Sequence, residues 1–95
     1  MSTKDEYIRK MHSRLDQLNN EIDVLTAKVS HVEEKVRAEY RQQIDVLRSK
    51  RDDAQKRMNE LQQTGESAWE DMKAGVELAW EAIGEALDSA KSRFK

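Results

Sequence analysis

Eight apolar residues, Met11, Leu15, Leu18, Ile22, Leu25, Val29, Val32 and Val36, follow one another at steps of 4, 3, 4, 3, 4, 3 and 4. On an α-helix that spacing draws one narrow stripe with the period of a coiled-coil seam. A stripe two positions wide per heptad is covered well only by another helix, so the chain is expected to be all-α. Its 95 residues are 38% charged, 37% hydrophobic and 5% aromatic, a poor supply for a globular monomer's core. The seam is therefore expected to meet a second copy of the chain. Net charge is only −2 and the apolar residues are periodic, which favours order on association over intrinsic disorder.

Pro is absent and all three Gly lie beyond residue 64, so nothing before that point breaks a helix on propensity grounds. A long helix is expected over about residues 3–62, capped by Ser2 or Thr3, with Asp5 and Glu6 at the positive end of its dipole. Leu15, Ile22, Val29 and Val36 take heptad position a; Met11, Leu18, Leu25 and Val32 take d. β-Branched residues at a with Leu at d lean towards a parallel dimer. Of the flanking contacts such a dimer makes, only Lys28 with Glu33 joins opposite charges, so antiparallel pairing stays open.

Beyond Val36 the next d position is Glu39, and the stripe resumes through Tyr40, Ile44 and Leu47 at steps of 4, 4 and 3. A stutter of this kind unwinds a left-handed supercoil, and the partner of the helix is expected to change near residues 36–44. The segment RSKRDDAQKR (48–57) has Ala54 as its only apolar residue and reads as a solvated face with local ion pairs; a basic dock for an anionic partner is the alternative. Met58 and Leu61 restore the stripe, and Gln62, Gln63, Thr64 and Gly65 then offer a hinge. Gly65 is expected in the left-handed conformation that ends helices, and Ser67 with Glu70 reads as a capping box for the next.

From residue 67 to about 93 an eleven-residue rhythm takes over: AWEDMKAGVEL repeats as AWEAIGEALDS and begins again as AKSRFK. Trp69, Met72, Val76, Trp80, Ile83, Leu87 and Phe94 fall in one sector about 100° wide, flanked by Ala68, Ala79, Ala86 and Ala90. If the chain reverses at 62–66, this helix runs roughly 40 Å back and ends beside Val36 to Tyr40. The expected architecture is a long coiled-coil helix and a shorter amphipathic helix, packed over residues 40–61 as a hairpin that oligomerises through Met11 to Val36. One continuous long helix is the alternative.

A second use of the Trp-bearing face is a lipid surface, because eleven-residue amphipathic repeats with interfacial Trp resemble those of apolipoproteins. Residues 66–95 carry seven acids against four bases, and an anionic membrane would repel that balance. No segment has the apolar length of a transmembrane span, MSTKDEYIRK lacks the apolar core of a secretory signal, and no basic face marks a nucleic-acid binder.

Chemistry finds no foothold. There is no Cys, hence no disulfide or thiolate site, and that usage fits a reducing cytoplasm. His12 and His31 stand about 28 Å apart along a straight helix and share no metal. Both are expected to be exposed. Phosphate-binding loops, nucleophile elbows and metal-ligand spacings are missing, so the expectation is a non-enzyme without a cofactor.

DEYIRKM at the start, AEYRQQIDVLRSKRDDAQKRMNEL in the centre and AWEDMKAGVELAWEAIGEALDSAKSRF at the end together resemble a family of small bacterial stress-response coiled-coil proteins, largely of unknown function. The resemblance spans nearly the whole chain and rests most on the paired Ala-Trp-Glu repeat and the SAKSRF end. It implies a bacterial, cytoplasmic protein linked to stress, and it brings no catalytic residues.

Overall fold

The computed structural model describes residues 3–65 and 67–93. Three α-helices make up almost all of it: α1 (Thr3–Lys28), α2 (Glu34–Gln62) and α3 (Trp69–Arg93), with one 3-10 turn at Val29–His31. They lie side by side in a body of 51 × 19 × 18 Å, and no strand occurs among the described residues.

The chain is all-α, and α2 with α3 forms the expected hairpin. α3 finishes where the length of the repeat puts it, with Arg93 paired to Glu39 and Ala90 in the cluster that holds Tyr40. Trp69, Val76, Ile83 and Ala90 are buried, while Met72, Ala79, Trp80, Ala86 and Leu87 are half-buried along the same face. Phe94 lies outside the described residues, as does Ser2.

The expected helix over 3–62 is two helices. α1 ends at Lys28, tightens into the 3-10 turn, and reverses through Val32 (φ −92°, ψ 154°) and Glu33 (φ −59°, ψ 142°) before α2 begins at Glu34. The bend falls a few residues before the stutter at Val36 to Tyr40, and its physical reason is coverage. A lone seam has no partner in one chain, and folding α1 back onto α2 supplies one at the cost of a short loop. Met11, Leu15, Leu18, Ile22 and Leu25, expected to be bare for a second copy, are thus buried in the chain's own core.

The core runs the length of the bundle in two parts. Leu18, Ile22 and Leu25 share a cluster with Tyr40, Ile44, Leu47, Ala54, Ile83 and Ala90. Met11 and Leu15 share the other with Met58, Leu61, Trp69 and Val76. α1 is antiparallel to α2, as Lys4 beside Gln62 and Thr26 beside Arg48 show, and parallel to α3, as Tyr7 beside Glu77 and Glu21 beside Lys91 show. All fifteen buried core residues are apolar or aromatic. A chain with few apolar residues builds a core because it is long and thin, with one stripe per helix and charge on the outside.

The second turn differs from expectation in detail. Gly65 has an ordinary negative φ, since no described residue has a positive one. α2 closes instead on Thr64, whose Oγ1 donates to the Glu60 carbonyl at 2.8 Å and whose backbone N–H donates to Leu61 at 3.1 Å. α3 starts at Trp69, so the position before it is Ala68 and not Ser67.

Candidate functional site

Helical spacing places the seam on the inner face of α1, and the only residues of it outside that core are the last three. Val29 and Val32 are half-buried beside the cluster of Leu25 and Tyr40, and Val36, in the first turn of α2, is half-buried too. The eight predicted seam residues therefore divide five to three, with the division at the bend.

That bend is built from residues with little reason to turn. Residues 28–36, KVSHVEEKV, hold neither Gly nor Pro. Glu33 occupies the cap position of α2 without a side-chain capping bond, and Glu is a poor cap. Val32 and Glu33 are extended, and their departure from the helical region lies mainly in ψ, 154° and 142°, against φ of −92° and −59°. The turn is held by the Val36 N–H bond to the Glu33 carbonyl at 3.0 Å and by Arg37, which donates to the Val32 carbonyl at 3.2 Å. Low helix propensity of Val29, Ser30, His31 and Val32 is the one sequence signal that marks the place.

Polar side chains tie α1 down at intervals. Arg51 donates to Asn19 at 3.1 Å, Arg48 to Thr26 at 3.1 Å, and Lys91 pairs with Glu21 at 3.3 Å. Arg51 also pairs with Asp52, and Arg57 with Asp53, so the charged stretch 48–57 forms local ion pairs as expected. These pairs are exposed or partly exposed, and each contributes under about 1 kcal/mol.

At the opposite end α1 meets the second turn. Lys4 donates to the carbonyls of Gln62, at 3.1 Å, and Thr64, placing a cation on the negative end of α2. Tyr7 stacks at 5.9 Å on Trp69, donates to Glu77 at 2.8 Å and lies under Lys73 at 5.1 Å. Burial, then the hydrogen bond and negative charge of Glu77, push the Tyr7 phenol well above its usual range. Burial also pushes Tyr40 up. Both phenols thus stay protonated at neutral pH and serve as packing groups. None of these ties was legible from spacing, because each joins residues tens of positions apart.

His12 is half-buried with Nε2 3.3 Å from Gln62, whereas His31 is exposed on the 3-10 turn. Among the described residues no cluster of three His, Asp or Glu is arranged to hold a metal ion. No described helix is long and apolar enough to cross a membrane. Among the described residues, Val24, Val46 and Leu78 are the exposed large hydrophobics. A shallow groove between α1 and α3 exposes Trp80 and Leu87, with Arg14 and Glu21 at its rim.

No protein-family model, curated protein or solved structure matches this chain.

Proposed function

We propose that this chain is a non-catalytic helical interaction protein that self-associates and acts as a scaffold. The observation that carries the reading is the seam itself: eight apolar residues in unbroken heptad register, of which the chain covers five fully and leaves Val29, Val32 and Val36 half-covered at one end. Coiled-coil registers of this length specify helix partners, and the partially covered end is where a further helix gains most. The bacterial, cytoplasmic and stress-linked setting implied by the family resemblance belongs to the same proposal.

The lipid-surface alternative draws less support. Trp69, Val76 and Ile83, which would have to face the membrane, lie in the core, and freeing them means detaching α3. Light scattering across micromolar to millimolar protein tests the main reading, with a rise in mass expected. Vesicle titration followed by Trp emission tests the other. Unchanged emission with neutral and anionic vesicles is the expected result, and a blue shift would replace the scaffold reading with the lipid one.

A further inference from the structure

The seam and the bend contradict each other in a way that carries information. Heptad register runs without a slip from Met11 through Val36, as it would in one straight helix, yet the chain reverses inside it at Val32 and Glu33. A turn required by the fold in every state would be expected to carry a breaker or a cap, and this one has neither Gly, Pro nor a side-chain capping bond.

We propose that α1 is exchangeable between two copies of this chain. Each copy straightens at Val32–Glu33 into one helix over residues 3–62, and α1 of each packs on the α2–α3 hairpin of the other. The proposal rests on the self-association reading above and names its partner and geometry.

Four observations support it. Straightening needs mainly a rotation of ψ at Val32 and Glu33, whose φ values of −92° and −59° lie within about 30° of the helical one, and it gives the first N–H groups of α2 i→i−4 carbonyl partners. The exchange keeps every tie of α1, since Asn19–Arg51, Thr26–Arg48, Glu21–Lys91 and Tyr7–Glu77 all re-form with the second copy. α3 has no reason to move, because α2 and α3 are the most closely packed pair and are joined by a turn with its own bonds.

The fourth observation is register. Leu18, Ile22 and Leu25 of α1 share one cluster with Leu47, Ile44 and Tyr40 of α2, the two helices running antiparallel. In a straight helix Val29, Val32 and Val36 stay on the same face as that set, so two such antiparallel helices meet at these valines near their two-fold axis. The half-covered valines thereby complete the seam. A short connection under a large closed interface is the known setting for such exchange. The closed form wins when dilute because α1 stays tethered at an effective concentration in the millimolar range.

The test is to denature an equal mixture of unlabelled and 15N-labelled chain, refold it at millimolar concentration, and separate it by size. Each fraction is then treated with carbodiimide to join Glu21 to Lys91. In the monomer that link joins two peptides of one isotope; in an exchanged dimer about half of these links are isotopically mixed, as random pairing requires. Glu34→Pro puts Pro at the first helical position after an extended residue, which the bend accepts and a straight helix does not, and it should abolish the dimer. Ser30→Ala with His31→Ala favours the straight form and should raise the dimer association constant at least about tenfold. A dimer whose Glu21–Lys91 links are all of one isotope overturns the exchange while leaving self-association standing. A chain that stays monomeric up to millimolar concentration, with Ser30→Ala and His31→Ala included, overturns both.

Discussion

The two reversals of this chain have opposite characters. At residues 63–68 the second turn contains Gly65, closes α2 through Thr64, and has its carbonyls covered by Lys4 from the start of α1. At residues 29–33 the first turn has no glycine, no side-chain cap, and a valine seam that continues straight through it. One reversal is closed by Thr64, Gly65 and Lys4; the other has only the Val36 and Arg37 bonds to its carbonyls and exists chiefly because of what it brings together. The lesson is that a turn can be enforced locally by backbone chemistry or remotely by the surfaces it lets meet, and the second kind is the more easily undone.

The largest test removes those surfaces. Leu18→Asp with Leu25→Asp puts two carboxylates among Ile22, Tyr40, Ile44 and Leu47, at a cost of several kcal/mol each. Because α1 contributes to both core clusters, helicity and Trp emission should be lost together in one transition. Circular dichroism showing an intact α2–α3 hairpin would mean that the first reversal contributes nothing to the rest. Next in size, Lys4→Met removes the cation from the Gln62 and Thr64 carbonyls and should cost about 1 kcal/mol in chemical denaturation. No change would make the second turn independent of α1.

Gly65→Ala sharpens the same contrast with the opposite sign. The glycine has an ordinary φ, and an added Cβ meets nothing within 4 Å, so the variant should gain about 0.4–1 kcal/mol by restricting the unfolded chain. A loss would show that the left-handed conformation expected from sequence is used after all. The smallest effect is alkaline. Tyr7 has a folded pKa above the ordinary phenol value of about 10, so its contribution is complete below that pH and is lost as pH rises beyond it. Stability measured from pH 9 to 11 should fall more steeply for the native chain than for Tyr7→Phe, by under about 0.5 kcal/mol after solvent screening. Parallel curves would remove the Tyr7–Glu77 bond from the ties between α1 and α3.

Much of this was legible before any coordinates. That Met11, Leu15, Leu18, Ile22 and Leu25 meet a helix followed from their heptad steps, and the apolar face of Trp69, Val76 and Ile83 from the eleven-residue repeat. The hairpin of α2 and α3 was one of two readings the sequence left open; given the reversal, the meeting of α3's end with Glu39 and Tyr40 followed from helix length. The bend at Val32–Glu33 did not, because periodicity reports which face of a helix is apolar and is silent on whether its partner is the same chain or another. Lys4 at the end of α2 and Tyr7 beneath Lys73 were hidden for a related reason: such pairings depend on how helices are placed, and local spacing carries no record of it.

By itself, then, the sequence determined two things about this protein: that it is helical, and which face of each helix is apolar. Those are properties of neighbours within a few turns, where propensity and period act directly. Tertiary structure decided which surface covers the seam. A short connection holds α1 against α2 at a concentration no dilute second copy matches, so the chain closes on itself and buries with its own helices what its pattern offers equally to another.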